Sequence, residues 1–296
     1  MKKVSVTFIP SWNDETVLDY NVRLARQTPK STGRWKDIQI VYPPLHDTYA
    51  ICQDGAASIV LAHKLGFEKH RIIYMKRESD FALPKISNIC EHVASAYQGS
   101  GFFCPSVWWL SLTWDELQEM SVPLKSRQVS AIVSSLTNLP LHKKRIAFIE
   151  ELCRDLPVDV FGKNHAPGSF YGKYMGELSN NKFARCKAAG LLPYKYSIAI
   201  ENHREHGYFT EKIVDCILAY SFPLYHGALD IDLYFPEGSY LHLCTLDGRT
   251  VELVDALVNG AAQDLLSIDS LKNARELILH KYNIINVTWS ILREIV

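Results

Sequence analysis

The chain has 296 residues, 47% of them hydrophobic and 22% charged, a composition of ordinary soluble globular proteins with room for two domains. Lysine plus arginine balances aspartate plus glutamate at 32 each, so no net field draws the protein to nucleic acid or anionic lipid. The opening MKKVSVTFIP is too short and too alternating for a signal peptide, and no later run approaches a membrane span, so no transmembrane segment is expected.

In chain order, KKVSVTFI reads as a first strand, followed by a polar stretch, the strand-like IQIVYP, a helix-like AASIVLAHKLG and the strand-like RIIYM. A helix-like ISNICEHVASAY and the apolar SGFFCPSVWWLSL complete the first half. Such alternation predicts the α/β class. A polar, proline-containing stretch, Ser121 to Arg127, then separates a second series: VSAIVSS, the helix KKRIAFIEELCR, VDVFG, YSIAI, a helix after Thr210, and FPLYHG. The predicted boundary therefore lies near Pro123, with units at 1–123 and 124–270. From Val251 the pattern is helical, with 271–296 as its last part.

Seven cysteines are scattered singly and in odd number, a pattern of reduced, mostly buried thiols that points to a cytoplasmic setting. The eleven histidines show no HxxxH or HxxH spacing, so no metal site is predicted. Asp230-Ile231-Asp232 spells DxD, but its place after a strand and turn favours a loop or helix-cap role over metal ligation. Trp108, Trp109 and Trp114 could stack on a sugar, although core aromatics are the simpler reading.

The most informative stretch runs from Ala199 to Gly227, AIENHREHGYFTEKIVDCILAYSFPLYHG. YSIAI ends abruptly in Glu201-Asn202, a polar loop with Gly207 follows, and Thr210 is placed to cap a helix. The free N–H groups at that helix start, with Lys212 beside them, suit a diphosphate. Ile213, Val214, Ile217 and Leu218 would face a sheet, and Phe222 to Tyr225 would return as the next strand, completing a βαβ unit.

These residues resemble the signature of the α-1,3/1,4-fucosyltransferase family, glycosyltransferase family 10, roughly F-E-N, a loop, Y-V-T-E-K, an apolar helix, then V-P-V-Y-W-G. Glu201, Asn202, Tyr208, Thr210, Glu211, Lys212, Pro223, Tyr225 and Gly227 fall on that pattern. His226 stands where the family often has Trp, and His203 where Ser is usual. The resemblance implies the GT-B architecture: two Rossmann-like domains facing a cleft, the first binding acceptor and the second the GDP-sugar, with a helical C-terminal tail, 271–296, packing back toward the first. It implies an inverting transfer of L-fucose from GDP-fucose to a hydroxyl of an acceptor oligosaccharide or glycan, with no cofactor and no obligatory metal.

Sugar transfer needs a base for the acceptor proton and cations for the departing diphosphate. The resemblance assigns the phosphates to Lys212 and to Arg145, which opens a helix after VSAIVSS, although Lys143 or Lys144 could align instead. It assigns Glu211 to the donor sugar, Tyr208 to the donor, and Asn202 to the nucleotide loop. Glu201 is equally consistent with a structural carboxylate that accepts N–H bonds from the loop. Glu78, in RIIYMKRESDFALP, resembles the family's proposed general base, with Lys76 and Arg77 beside it. Other readings keep the fold with a different nucleotide sugar, or make the chain a non-catalytic nucleotide-sugar or glycan-binding module.

Overall fold

The computed structural model describes residues 3–11, 15–53, 55–77, 92–95, 106–178, 180–181 and 184–295. Two six-stranded sheets organise them. The first contains β1 (Val4–Ile9), β2 (Arg34–Trp35), β3 (Ile38–Ile40), β4 (Tyr49–Gln53), β5 (Ile72–Lys76) and β6 (His92–Ser95), in the order β2-β3-β1-β4-β5-β6. All its pairs are parallel except β2–β3. Helices α1 (Val17–Ala25) and α2 (Ala56–Lys64) connect its early strands.

The segment His92–Ser95, read from sequence as part of a helix, is instead an edge strand, with Ile73 opposite His92 and Lys76 opposite Ser95. Parallel pairing with β5 outweighs local helical pattern there, as burial and pairing commonly decide strand formation. Residues 107–113 form no strand either. Their apolar side chains nevertheless bury, Trp108 and Leu110 almost completely, before Thr113 starts α3 (Trp114–Glu119) with a reciprocal capping box to Glu116. Trp108, Trp109 and Trp114 thus pack into the interior.

The second sheet contains β7 (Arg127–Ile132), β8 (Val158–Phe161), β9 (Tyr174–Gly176), β12 (Tyr194–Ile200), β13 (Phe222–His226) and β14 (Leu241–His242), in the order β14-β13-β12-β7-β8-β9 and parallel throughout. A small antiparallel pair, β10 (Asn180–Asn181) and β11 (Ala184–Arg185), lies between β9 and β12 in sequence. Helix α4 (Pro140–Asp155) and helix α6 (Gly248–Val258) pack on one face, where Phe148, Ile149 and Leu152 meet Val254 and Leu257. Helix α5 (Glu211–Leu218) and helix α7 (Ile268–Glu276) cover the other, where Ile213, Val214 and Ile217 meet Leu271 and Ala274. Burying each such aliphatic side chain contributes about 1.5–3 kcal/mol.

After a π-helical turn at Leu277–Lys281, helix α8 (Ile284–Ile295) leaves the second sheet. Its Ile284, Ile285, Val287, Ile291 and Leu292 pack in the core of the first sheet with Val6, Phe8, Tyr20 and Ile51. Among the described residues no helix is long and apolar enough to cross a membrane. Cys52, Cys153 and Cys216 are buried as expected, but Cys244 is exposed because it lies in the loop between β14 and α6.

Candidate donor-binding site

Strands β7 and β12 are neighbours, yet the helices that follow them, α4 and α5, belong to opposite faces of the sheet. The chain therefore parts at the carboxyl ends of these two strands, the switch point at which parallel α/β sheets form ligand crevices. Both helix N-termini open there, and each brings a cation.

At the end of β12, Glu201 is completely buried and binds the start of α5. Its Oε1 accepts from Thr210 N at 2.8 Å, and its Oε2 accepts from Thr210 Oγ1 at 2.7 Å and from Lys212 Nζ at 3.2 Å. Thr210 caps α5 as the sequence predicts, with Oγ1 accepting from Lys212 N, and it also accepts from Lys212 Nζ at 3.0 Å. The structural role left open for Glu201 is thus present in its bonding. Asp230 also supports the loop: its Oδ1 accepts from Gly207 N at 2.7 Å.

Burial pulls the Lys212 ammonium down, but Glu201 and then Glu211 outweigh it and raise its pKa above the ordinary lysine value. Glu211 sits 3.8 Å from Lys212 and closer, 3.2 Å, to Lys187. Burial pushes its carboxyl up, yet Lys187 and Lys212, with Arg77 adding, hold it well below the usual carboxylate range. Adjacent positions on α5 point in different directions, so Glu211 and Lys212 each find a nearer partner than one another.

Arg145 lies in the second turn of α4, because the helix starts earlier than the sequence suggests, with Pro140 in its first turn. Its NH1 donates to Asn202 Oδ1 at 2.8 Å, and its NH2 points at Ser134 Oγ at 3.4 Å. Its Nε is buried without a partner among the described residues. Burial lowers the Arg145 pKa, while Glu201, Glu211 and Tyr208 act to raise it. Asn202 and Arg145 are therefore brought together with Lys212 and Glu211. Tyr208 belongs to the same group but is completely buried, so the packed loop rather than an open wall holds it.

Asn202 Oδ1 has a second neighbour, His142 Nε2 at 3.1 Å. Leu139 N donates to His142 Nδ1 at 3.3 Å, which assigns the ring proton to Nε2, and the imidazole is neutral. Burial lowers the His142 pKa, and the charges of Arg145 and Lys212 lower it further. A depressed histidine contributes stability that is complete above the unfolded value near 6.5 and is lost as pH falls below it. Urea unfolding between pH 7 and pH 5.5 should accordingly show falling stability, and His142→Gln should flatten part of that slope. An unchanged slope would remove His142 from the account, leaving His226 and His242, which burial also depresses.

The first sheet faces this group with positive charge. Arg77, just beyond β5, donates to Gln53 Oε1 at 2.8 Å and acts electrostatically on Glu211, while Lys76 interacts with Glu205 of the loop. Glu78, the candidate base, lies outside the described residues. Lys187 and Asp215 were not legible as site residues. Lys187 Nζ is 2.9 Å from Asp215 Oδ2, yet the two are 28 positions apart with no motif to link them.

Two backbone details explain motif positions. Gly227 follows β13, and a Cβ there would collide with Tyr225 Oη and Glu201 Cγ. His226 Nδ1 lies 2.6 Å from the Leu243 carbonyl, so it is the donor, and the ring is a buried part of the sheet edge.

Residues 122–259 match the family model described as glycosyltransferase family 10 (fucosyltransferase) C-term. A putative fucosyltransferase-like protein of Arabidopsis thaliana is 28% identical over 138 residues, 46% of this chain and 24% of the relative. The alpha-(1,3)-fucosyltransferase FucT of Helicobacter pylori is 28% identical over 127 residues, 43% of this chain and 23% of the relative. The matched stretch thus spans about a quarter of each relative's length. A crystal structure of an alpha1,3-fucosyltransferase superposes with a TM-score of 0.51 at 14% identity, covering 99% of this chain and 90% of that one. The two parallel-sheet units form the GT-B fold, and the chain resembles the glycosyltransferase family 10 fucosyltransferases through the sheet that carries Arg145, Asn202, Glu211 and Lys212.

Proposed function

We propose that the protein is an inverting fucosyltransferase that moves L-fucose from GDP-fucose to a hydroxyl of an acceptor glycan. One observation carries this reading. A buried guanidinium, Arg145, and a largely buried ammonium, Lys212, stand within the first two turns of the two helices that diverge from the β7/β12 switch point, and the Arg145 Nε–H has no partner among the described residues. An arriving diphosphate would meet helix N-termini, an unspent guanidinium N–H and an ammonium together. As the glycosidic bond breaks, negative charge gathers on the leaving diphosphate, so these groups stabilise the transition state more than the ground state. No metal is needed for that charge.

In this reading residues 124–270 hold the donor and 1–123 the acceptor, with Glu211 on the sugar and Tyr208 and Asn202 shaping the loop. Glu78 removes the acceptor proton as the hydroxyl oxygen attacks the anomeric carbon from the face opposite the diphosphate, which inverts the configuration there. The resemblance over 122–259 and the fold likeness support it.

Calorimetric titration with GDP and with UDP is the direct test. GDP should bind and UDP should bind less well, and Glu78→Ala should abolish transfer while leaving GDP affinity intact. A UDP preference would exclude the GDP-sugar, and loss of GDP binding in a folded Glu78→Ala protein would remove that residue as the base.

A further inference from the structure

Outside the residues so far given a role in transfer, the group most closely engaged with the site is Lys187. It lies between β11 and the short 3-10 turn Ala188–Gly190, with a side chain only 16% exposed, and its Nζ sits between Glu211 Oε1 at 3.2 Å and Asp215 Oδ2 at 2.9 Å. Those two carboxylates are four apart on α5 and so share one helix face. Asp215 is 1% exposed, and its Oδ1 accepts from Trp109 N at 2.8 Å. Lys187 N in turn donates to Trp109 O at 2.8 Å. Arg23 of α1 stacks on the Trp109 ring with its guanidinium carbon 4.1 Å from the centroid, and it pairs with Glu15 at 2.9 Å.

A continuous set of contacts therefore runs from a helix of the first sheet, through Trp109, to Glu211 at the start of α5. Lys187 is its last link. It is also what sets the balance among the charges of the site. Among the described residues Glu211 has two cations within 4 Å, Lys187 at 3.2 Å and Lys212 at 3.8 Å, while Lys212 is engaged by Glu201. Without the Lys187 ammonium the Glu211 carboxylate loses its nearest ion-pair partner among the described residues and would leave the position it holds here.

We propose that Lys187 is a positioning residue for donor-sugar recognition: it fixes the Glu211 carboxylate against the segment that joins the two sheets. This rests on the donor-site reading, since it takes Glu211 as the group that meets the sugar. Lys187 itself touches no substrate in this account. Burial lowers its pKa, but Asp215 and Glu211 outweigh that and hold it above the ordinary lysine value, so the ammonium persists across the working pH range.

The test is a double-mutant cycle on kcat/KM for GDP-fucose, with GDP affinity measured alongside. Lys187→Met should lower kcat/KM by about thirtyfold with less than about a threefold change in GDP affinity, because GDP lacks the sugar that Glu211 meets. In a Glu211→Gln background the same change should cost little, because the group it positions is already altered. Lys187→Arg should recover most of the loss.

Leaving Asp215 buried beside a methionine could unfold the chain, so Lys187→Met is also made with Asp215→Asn, which keeps an oxygen to accept from Trp109 N while removing the charge. The paired variant should show the same split between sugar-dependent turnover and GDP affinity. Full additivity with Glu211→Gln, or equal losses of GDP affinity and turnover in a folded variant, would overturn the positioning role. Absence of GDP binding by the unaltered protein would overturn the donor reading and this proposal with it, whereas GDP binding and turnover untouched by Lys187→Met would overturn this proposal alone.

Discussion

Lys212→Ala is expected to lose more than about 2 kcal/mol of transition-state stabilisation, a drop of at least about thirtyfold in kcat/KM. The ammonium does two jobs. In the proposed reading it offers charge to a diphosphate at the start of α5, and in the structure it neutralises Glu201, which is completely buried. Truncation removes the first and leaves Glu201 with Thr210 N and Thr210 Oγ1 as its remaining donors. Stability should therefore fall as well, by an amount below the 3–5 kcal/mol typical of a broken buried pair, because those two bonds persist. Lys212→Ala with Glu201→Gln separates the effects: the double variant should recover stability and not turnover. Recovery of both would make Lys212 a structural counter-charge only.

Gly227→Ala is the second large effect, and it needs no change of charge. The added methyl group would overlap Tyr225 Oη and Glu201 Cγ, neither of which has room to retreat. Tyr225 is completely buried with its hydroxyl accepting from Ala228 N at 2.9 Å, and Glu201 is fixed by Thr210 and Lys212. Overpacking of a rigid site costs about 1–3 kcal/mol. Because one of the displaced groups organises the cap of α5, GDP affinity should fall together with the urea midpoint. Wild-type values for both would mean that the backbone after β13 can move aside freely, contrary to the packing around it.

The strand, loop, helix and strand from Tyr194 to His226 were legible in the sequence because every signal there is local. Thr210 caps its own helix, Ile213 and Ile217 follow the helical period, and β12 and β13 are short apolar runs. Asn202, Glu211 and Lys212 stand in the motif and Arg145 in a less distinctive segment, and the fold brings the four together.

What was missed depends on distant partners. Helix α1 reads as a polar stretch because it buries Asn21 and Arg23, and those are tolerable through Phe8 backbone groups for the amide and through Glu15 and the Trp109 ring for the guanidinium. Strand β6 depends on β5 for its conformation. The roles of Lys187 and Asp215 follow from a meeting across 28 residues that no spacing rule foretells.

The placement of α8 has a consequence for how the molecule is made. The first sheet begins at Val4, but its core includes Ile284, Ile285, Val287, Ile291 and Leu292, whereas the cores on the two faces of the second sheet take no described residue beyond Tyr282. During synthesis the unit that emerges first is therefore the last whose interior can be filled. Its strands must wait, with apolar surface uncovered, until a helix almost 280 residues downstream of β1 arrives to close them. The core of the second sheet can close while the chain is still being made, and that of the first only once α8 has emerged.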